Sequence, residues 1–463
     1  MRRTLSPATA LALWLALITL AWWAVAPVQQ GIDPLVNAQG EATGWWQLRR
    51  HAIYLSGLWS MGLMGLIMVL ALRLPLIERP LGGMDQVYRL HKWAGMGAGI
   101  TAVLHWGVKE GSGLIKATWG REGKPARDAV LPWFTDARDL AKDLGEWAFY
   151  ALLVLIALTL LQRLLAYRPW RLTHRAMPLL YLGFVFHALA LTPLAYWALP
   201  LGLLQAGLLT LGSAAALWSL AGGIGLRRRH GAHIHSVQLL GQGPDAPLEV
   251  VCALPDSWPG HRPGQFAFVR FDRAEGAHPF TIASAPGALG ENARGEALLR
   301  LVIKPLGDYT RTLARRLQAG QGVDIEGPYG RFDGRGSRAR QQVWVAGGVG
   351  VTPFIALLEA RQPGLATADA RLQPVQMHYC TRDAARDALL ARLQALCAQA
   401  EPAVTLTVHD DAQGQRLTPR TLQALGGPLD IWFCGPQGLG DALHAHASGP
   451  RPWRVHRESF AMR

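Results

Sequence analysis

Cysteine is scarce in this sequence. Four cysteines occur among 463 residues, all of them after residue 230: Cys252, Cys380, Cys397 and Cys434. Their spacing matches no metal-binding motif, which argues against a cysteine-ligated metal centre. The pattern agrees with free thiols in a reducing cytoplasm.

Acidic side chains are also few. The chain has 46 Lys and Arg residues against 32 Asp and Glu residues, a formal net charge of +14. A nucleic-acid partner would suit that charge, but no aromatic and basic groove or binding motif is visible, so we set that partner aside. The charge fits a membrane protein with a basic inner face.

Long apolar runs fill the first half of the chain. Each is close to the roughly 20 residues that a membrane-spanning helix needs. We expect six spans, near residues 8–28, 52–72, 92–108, 147–165, 177–196 and 200–224. The remainder, after about residue 230, has soluble character.

Lysine and arginine in the short connections predict the orientation. Arg73, Arg175 and Arg227 lie in connections that we expect to face the cytoplasm of the inner (plasma) membrane, together with the soluble half. Arg2 and Arg3 precede the first run, which therefore also resembles a signal peptide. The length of that run favours a retained span.

Two of the apolar runs contain two histidines each. His91 and His105 are 14 residues apart, and His174 and His187 are 13 residues apart. On a helix each spacing covers roughly 20 Å of a hydrocarbon layer about 30 Å thick. A single histidine could merely bond a carbonyl, but two pairs at matched depth predict two stacked bis-histidine haems. His91 and His174 would share the inner haem, and His105 and His187 the outer one.

The residues around these histidines leave two questions open. Residues 94–99 carry little bulk, as a flat macrocycle against a helix requires, but Gly95 and Gly99 also suit close helix packing alone. A spacing of 13 residues places His174 and His187 about 140° apart on an ideal helix. Pro178 is the candidate for distorting that helix.

The soluble half contains two patterns of secondary structure. Short period-two or β-branched runs at 237–240, 248–254, 265–271, 298–304 and 323–326 predict a small antiparallel β-barrel. Beyond residue 341, strands at 342–346, 375–380, 404–408 and 431–434 alternate with helices at 353–361, 384–400, 419–425 and 438–447. That alternation predicts a parallel sheet with helices on both faces.

Five separated motifs follow one another in the soluble half. They are His278-Pro279-Phe280-Thr281-Ile282-Ala283-Ser284, Lys304-Pro305-Leu306-Gly307-Asp308-Tyr309-Thr310, Gly327-Pro328-Tyr329-Gly330, Gly347-Gly348-Val349-Gly350-Val351-Thr352-Pro353 and Cys434-Gly435-Pro436. The fourth follows an apolar strand and opens a helix, which suits a pyrophosphate, although a tight turn alone also explains it.

In this order the motifs resemble the dehydrogenase module of the ferredoxin-NADP reductase family. The histidine pairs before them resemble the ferric reductase and NADPH oxidase superfamily of transmembrane haem proteins. The resemblance covers nearly the whole chain. It implies a transmembrane haem-binding domain (1–229), an FAD-binding β-barrel (230–338) and an NAD(P)H-binding domain (339–463).

The resemblance also implies roles for individual residues. FAD would contact His278, Pro279, Phe280, Thr281, Ser284, Lys304 and, through its phosphates, Thr310. The nicotinamide nucleotide would contact Gly347, Gly348, Gly350, Thr352, Pro353, Gly435 and Pro436. Cys434 would lie near the nicotinamide, and Phe460 would be the terminal aromatic that covers the flavin.

Arg382 follows the second strand of the nucleotide-binding domain. An arginine there can meet the 2'-phosphate of NADPH, whereas simple solvation is the alternative. We therefore favour NADPH over NADH as the electron donor.

The predicted function is electron transfer from cytosolic NAD(P)H through FAD and two b-type haems to an acceptor outside. A ferric chelate, oxygen and an electron carrier all fit. Oxygen-reducing relatives carry an arginine near the start of span two and a histidine one turn beyond the outer ligand. Here Arg49 or Arg50 meets the first requirement, but Lys109 replaces the histidine, which weakens the oxidase interpretation. A haem-holding subunit for a partner protein, or a flavin module that reduces a soluble partner, remain alternatives.

Overall fold

The structure is a computed structural model that describes residues 5–29, 35, 43–121, 123–161, 167–198, 200–335, 340–365, 373–447 and 453–457. The chain divides into two compact units, Met1–Gly225 and Leu226–Met462. The predicted domain limits at residues 230 and 339 stay predictions.

The first unit is helical. Its helices are α1 (Pro7–Trp23), α2 (Ala26–Gln29), α3 (Thr43–Ala71), α4 (Pro75–Leu81), α5 (Met84–Trp119), α6 (Arg138–Leu160), α7 (Tyr167–His174), α8 (Met177–Leu191) and α9 (Leu201–Leu220). Local signals start several of them. At α1, for example, the Ser6 side chain accepts a hydrogen bond from the Thr9 amide and Pro7 occupies the first turn.

Four stretches of the described residues are long and apolar enough to cross a membrane. They are Thr43–Ala71, Arg138–Leu160, Trp170–Leu191 and Leu201–Leu220. The apolar helix α1 is shorter, with 17 residues. Helix α5 is long enough to cross a membrane, but histidines, glycines and charged residues interrupt its apolar sequence. The first unit is therefore membrane-embedded, and the full count of six spans stays a prediction.

Small side chains bring α5 close to α3. Ala94, Ala98 and Ala102 follow one another at four-residue intervals along α5 and are buried. They share a core with Leu63 and Met64 of α3 and with residues of α6, α8 and α9. Small residues one turn apart allow helix backbones to approach closely, and this packing positions α5 in the helical unit.

The second unit begins with a six-stranded antiparallel sheet. Its strands are β1 (Arg229–Leu239), β2 (Leu248–Ala253), β3 (Phe266–Arg270), β4 (His278–Thr281), β5 (Leu298–Ile303) and β6 (Gly322–Tyr329), in the order β4-β3-β6-β1-β2-β5. The helix α10 (Thr310–Arg316) lies between β5 and β6 in the sequence. An isolated bridge joins Ile282 to Leu301 of β5. The antiparallel sheet is confirmed, and its closure into a barrel stays a prediction.

A five-stranded parallel sheet follows, with strands and helices in alternation. The elements are β7 (Gln341–Gly347), α11 (Thr352–Glu359), β8 (Val375–Thr381), α12 (Leu390–Ala398), β9 (Val404–Asp410), α13 (Pro419–Gln423), β10 (Leu429–Cys434), α14 (Gln437–His446) and β11 (Arg454–Arg457). The strand order is β11-β10-β7-β8-β9. The predicted parallel-sheet domain is thereby confirmed, and β11 was not expected.

One predicted helix begins later than expected. The sequence predicts a helix over 384–400, whereas α12 begins at Leu390. The side chains of Asp383 and Asp387 accept hydrogen bonds from the amides of Ala385 and Leu389. Such local side-chain bonds compete with helix formation, so a short 3₁₀ turn and a bend replace the first part of the predicted helix.

Candidate functional site

The structure brings the four transmembrane histidines together as two pairs. The ring centroids of His91 and His174 are 6.2 Å apart, and those of His105 and His187 are also 6.2 Å apart. A metal about 2 Å from one nitrogen of each ring would set the centroids roughly 6 Å apart. Both pairs therefore fit a metal held between two imidazoles, in the pairing that the sequence predicts.

The donor set also indicates the kind of metal group. No cluster of three or more His, Cys, Asp or Glu side chains within the described ranges is placed to hold a metal ion. A bare ion normally needs four or more protein ligands or waters. A haem iron takes only its axial ligands from the protein, so two imidazoles suffice.

Backbone carbonyls orient the outer pair. Nδ1 of His105 lies 2.8 Å from the Ile53 carbonyl oxygen of α3, and Nδ1 of His187 lies 2.8 Å from the Ala141 carbonyl oxygen of α6. Each Nδ1–H therefore donates to a carbonyl, which leaves Nε2 as the free nitrogen of each ring. Such a bond fixes the tautomer and ring orientation of a metal-binding histidine.

Glycines let the outer imidazoles approach those helices. A Cβ on Gly57 would lie 3.2 Å from the His105 ring, and a Cβ on Gly145 would overlap the His187 ring. Each glycine stands four residues after the carbonyl that its histidine contacts. The sequence analysis missed Gly57 and Gly145. The available signal was a glycine one helical turn after a backbone carbonyl that could accept a hydrogen bond from a histidine of another span.

The inner pair is held differently on its two sides. His91 hydrogen-bonds the backbone of Ile67 in α3. Ile67 and Ile53 are 14 residues apart in α3, and His91 and His105 are 14 residues apart in α5. The two helices are antiparallel, so both histidines of α5 bond the backbone of α3 in the same way. Nδ1 of His174 is buried without a hydrogen-bond partner in the part of the chain that the structure describes. Its ring stacks on Trp170 with centroids 5.4 Å apart.

A helix break removes the angular problem of the 13-residue spacing. Helix α7 ends at His174, and α8 begins at Met177 with Pro178 in its first turn. Proline suits the first turn of a helix and disfavours helical geometry in the residue before it. Pro178 thus starts a new helix and does not distort a continuous one, so the two histidines need not share one helical face.

Space for a flat group lies beside two other glycines. A Cβ on Gly95, four residues after His91, or on Gly183, four residues before His187, would meet no atom within 4 Å. A Cβ on Gly99 would instead lie 2.9 Å from Ile156 of α6. The packing interpretation therefore describes Gly99, whereas Gly95 and Gly183 fit a macrocycle between the helices.

Charged residues near the outer histidines are mostly paired. Arg50 forms an ion pair with Asp128, which also accepts a 2.6 Å hydrogen bond from the Tyr54 hydroxyl. The Lys109 ammonium lies 2.6 Å from Glu146 and 3.1 Å from Glu110. Arg49 donates a 2.9 Å hydrogen bond to the Lys109 carbonyl.

The predicted flavin strand is β4, at the end of the antiparallel order. All four of its residues, His278, Pro279, Phe280 and Thr281, are partly exposed. The His278 ring stacks on Tyr309 with centroids 4.7 Å apart. Burial raises the pKa of Tyr309 to about 12, so its hydroxyl is a donor at neutral pH. That buried hydroxyl has no hydrogen-bond partner within the described segments, which fits a bound polar ligand.

Thr310 lies beside a cavity of about 480 Å³, whose walls include Pro305, Arg311 and Arg315. The Thr310 hydroxyl is held against Gly307, whose amide donates to it at 3.0 Å. Lys304 directly follows β5. Two arginines and a hydroxyl at one cavity suit an anion such as a phosphate. Ser284, by contrast, is fully buried, and its hydroxyl accepts from the Arg300 amide at 3.1 Å.

The glycine-rich motif stands at the carboxyl end of β7. Gly348 has a left-handed φ of 54°, which glycine adopts without strain. A Cβ on Gly347 would strike Pro436, and one on Gly350 would strike the Cys434 carbonyl. The loop therefore packs directly on the segment that follows β10, Cys434-Gly435-Pro436.

This contact lies where the strand order changes direction. β7 is the first strand of the parallel sheet in sequence, and β10 and β8 flank it. Nucleotides bind at such switch points, at the carboxyl ends of the strands. Thr352 and Pro353 are buried in the first turn of α11, whose amino end follows the loop.

The remaining predicted residues lie farther along the chain. Arg382 is exposed directly after β8, and its carbonyl accepts from the Ala412 amide at 3.0 Å. Nearby, Asp411 forms an ion pair with Arg416, which lowers the pKa of the Asp411 carboxyl. Phe460 lies outside the described residues.

Known proteins resemble the chain over part of its length. The ferredoxin–NAD(+) reductase component of an alkene monooxygenase system from Xanthobacter autotrophicus is 30% identical over 193 residues, covering 40% of this chain and 55% of the relative. A flavohemoprotein from Bordetella pertussis is 29% identical over 227 residues, covering 44% and 53%. The chain thus spans about half the length of the curated relatives it matches.

Solved structures match with low scores. A flavohemoglobin from Malassezia yamatoensis has a TM-score of 0.44 at 12% identity, covering 89% of this chain and 98% of that chain. The ferredoxin reductase in carbazole 1,9a-dioxygenase has a TM-score of 0.38 at 22% identity, covering 50% and 69%.

Two family models match separate stretches of the chain. Residues 56–185, which contain three of the four paired histidines, match the ferric reductase like transmembrane component. Residues 232–333, which contain β4 and Thr310, match an FAD-binding domain. The order of these two matched domains is the architecture of the ferric reductase and NADPH oxidase superfamily, and it indicates a membrane flavoprotein oxidoreductase of electron transport.

Proposed function

We propose that the protein carries electrons from cytosolic NAD(P)H through FAD and two haems, each held by two histidines, to an acceptor on the outer face of the inner membrane. The observation that carries this proposal is the equal 6.2 Å centroid separation in both histidine pairs. The matched ferric reductase like component supports it.

The chain's own residues would hold each group in place. His91 with His174, and His105 with His187, would bind two haems of b type, and the carbonyls of Ile67, Ile53 and Ala141 would orient three of those imidazoles. When bound, FAD would take a hydride and release its electrons one at a time to groups that carry single electrons.

In the second unit, β4 and Thr310 would bind the FAD, and the loop from Gly347 to Pro353 would bind the nucleotide diphosphate. The contact between this loop and Cys434-Gly435-Pro436 supports a nicotinamide near Cys434. Phe460 would cover the flavin, and Arg382 would favour NADPH over NADH. NADH remains the alternative donor.

For the acceptor we favour a ferric chelate. Arg50 is paired with Asp128, and Lys109 is paired with Glu146. These cations are already neutralised, so they would attract superoxide, the anionic product of oxygen reduction, only weakly. This supports a ferric chelate over oxygen. Oxygen is the second candidate acceptor. It is favoured by Arg49, whose buried Nε has no hydrogen-bond partner in the described part of the chain.

Anaerobic reduction of the purified full chain in detergent tests the proposal. NADPH should reduce the flavin and then both haems, as followed by their absorption, and a ferric chelate should reoxidise the haems faster than oxygen does. His105→Ala should keep flavin reduction and lose electron delivery to the acceptor. His51→Ala is the matched control, because His51 is a buried histidine of α3 outside both pairs.

Three results would contradict the proposal, the last of them only in its choice of acceptor. Haem that stays oxidised while the flavin is reduced would favour a haem-holding subunit. Unchanged acceptor reduction in His105→Ala would mean that the flavin module alone supplies the electrons. Faster reoxidation by oxygen than by the chelate would move the protein to the oxidase branch of the superfamily.

A further inference from the structure

Arg300 is a buried arginine that joins the two halves of the second unit. It lies on β5 of the antiparallel sheet with 8% of its surface exposed. Its guanidinium forms an ion pair with Glu359, the last residue of α11 in the nucleotide-binding half. On the other side, its Nε lies 3.3 Å from the Glu249 carboxylate of β2. The charge of Arg300 is thus compensated from both halves.

The same residues hold the segment that follows the flavin strand. Nη1 of Arg300 lies 3.3 Å from the Ala283 carbonyl oxygen. The backbone amide of Arg300 donates a 3.1 Å hydrogen bond to the Ser284 hydroxyl. The second carboxylate oxygen of Glu359 accepts the Ala285 amide at 2.9 Å. Three consecutive residues, starting two positions after the end of β4, are therefore bonded to Arg300 or Glu359, and Ala283 and Ala285 are bonded to the paired side chains themselves.

Helix α11 connects the ion pair to the nucleotide loop. It begins at Thr352, directly after the glycine-rich turn, and its eight residues end at Glu359. At about 1.5 Å per residue the helix is roughly 12 Å long. One short helix therefore connects Glu359 to the nucleotide loop.

Stability alone explains such a cluster poorly. A buried ion pair repays the cost of removing its charges from water only in part, and apolar replacements are often as stable. Hydride transfer, in contrast, needs the reacting atoms about 3 to 3.5 Å apart, and a misplacement of about 1 Å can cost roughly 100-fold in rate. A directional ion pair between the two cofactor motifs meets that geometric demand.

We propose that Arg300 and Glu359 are positioning residues that set the flavin and the nicotinamide at hydride-transfer distance. This inference rests on the proposed function. In the step concerned, a hydride carries both electrons from the reduced nicotinamide to the flavin, leaving oxidised nicotinamide, and water supplies the proton that completes the reduced flavin. Neither residue touches the reacting atoms.

Anaerobic stopped-flow measurement of flavin reduction tests the inference on FAD-loaded full chain in detergent. Arg300→Lys keeps the positive charge but loses the planar donor array. It should slow flavin reduction about 10- to 100-fold. The deuterium isotope effect with NADPH labelled at the transferred position should increase, while the half-saturating NADPH concentration and FAD content change less than about twofold.

Two further variants make the result decisive. Glu359→Gln keeps an acceptor for the Ala285 amide and serves where Arg300→Lys fails to fold. Its flavin reduction should slow by a smaller factor. Arg316→Lys is the matched control, because Arg316 pairs with Asp272 entirely within the FAD-binding half. Its flavin reduction should keep the wild-type rate.

The outcomes separate this inference from the proposed function. Wild-type rate and isotope effect in FAD-loaded Arg300→Lys or Glu359→Gln would overturn the positioning role. So would loss of FAD or thermal stability with an unchanged rate per bound flavin. A wild-type flavin that neither NADPH nor NADH reduces would instead overturn the proposed function itself.

Discussion

Histidine pairs occur in both units of the chain, and their spacings differ. In the membrane unit each pair has ring centroids 6.2 Å apart. In the nucleotide-binding half, His378 and His409 stack with centroids 5.2 Å apart, and Nδ1 of His378 lies 3.0 Å from Nε2 of His409. The first separation leaves room for a metal between two nitrogens, and the second is a direct hydrogen bond. Pairing of histidines thus indicates a metal group only at the wider spacing.

The two kinds of pair also use their nitrogens differently. Nδ1 of His105 and Nδ1 of His187 each donate to a backbone carbonyl, which leaves Nε2 of both rings free to bind a metal. His378 and His409 lie on the adjacent parallel strands β8 and β9 and bond each other. Burial, and then the neighbouring His409, lowers the pKa of His378 to about 4, so a neutral donor and a neutral acceptor meet at pH 7.

Removing a histidine from each kind of pair should give the largest contrast. His105→Ala or His187→Ala should lose about half of the bound haem, because one of the two proposed sites would lose a ligand. His378→Gln should retain all of it. Pyridine haemochrome analysis against protein concentration measures both. Equal haem content in His105→Ala and His378→Gln would remove the distinction between the pairs.

A glycine substitution tests the outer pair without touching a histidine. Gly145→Val places side-chain atoms where the His187 ring lies, so the ring must move away from the Ala141 carbonyl. Haem content should fall by up to about half, because the overpacked site displaces the His187 ring from the position in which it would bind the metal. Gly207→Val on α9 is the control, because a Cβ there meets no atom within 4 Å. Full haem in Gly145→Val would show that the imidazole can bind from another position.

The sequence predicted the pairing of these histidines, and the reason is geometric. A constant rise per residue converts 14 residues into depth, so His91 and His105 could be assigned to opposite leaflets before any contact was known. The sheets were likewise predictable from period-two runs and from strand and helix alternation. Those signals are local in sequence.

The features that the sequence did not predict depend on distant partners. The Ile53 and Ala141 carbonyls carry no side-chain signal, and Gly145 becomes informative only once α6 lies against α8. His378 and His409 are 31 residues apart in sequence and meet through strand register. The ion pair of Arg300 and Glu359 likewise requires both sheets to be in place. Propensity and spacing do not encode such contacts.

Within the membrane unit, the inner pair offers a smaller test. Trp170→Leu removes the ring that stacks on His174, whose Nδ1 is not held by a hydrogen bond in the described residues. An aromatic stack contributes about 0.5–1.5 kcal/mol, so the inner haem should transfer roughly 2- to 10-fold faster to a haem-scavenging apoprotein. Trp147→Leu is the control, because Trp147 is an exposed tryptophan of α6. Equal transfer rates in the two variants would mean that Trp170 does not support His174.

Acidification should give the smallest effect and should act on the second unit. Because the pKa of His378 is about 4 in the folded chain and about 6.5 in an unfolded one, the unfolded form binds more protons between these values. The stability that this neutral histidine contributes is therefore present above pH 6.5 and is lost as the pH falls toward 4. The midpoint temperature of FAD release should drop by a few degrees between pH 7 and 5 in the wild type. It should drop less in His378→Gln. The control is His235→Gln, at an exposed histidine of β1, which should follow the wild type. A wild-type slope in His378→Gln would mean that the closely spaced pair keeps its hydrogen bond when protonated.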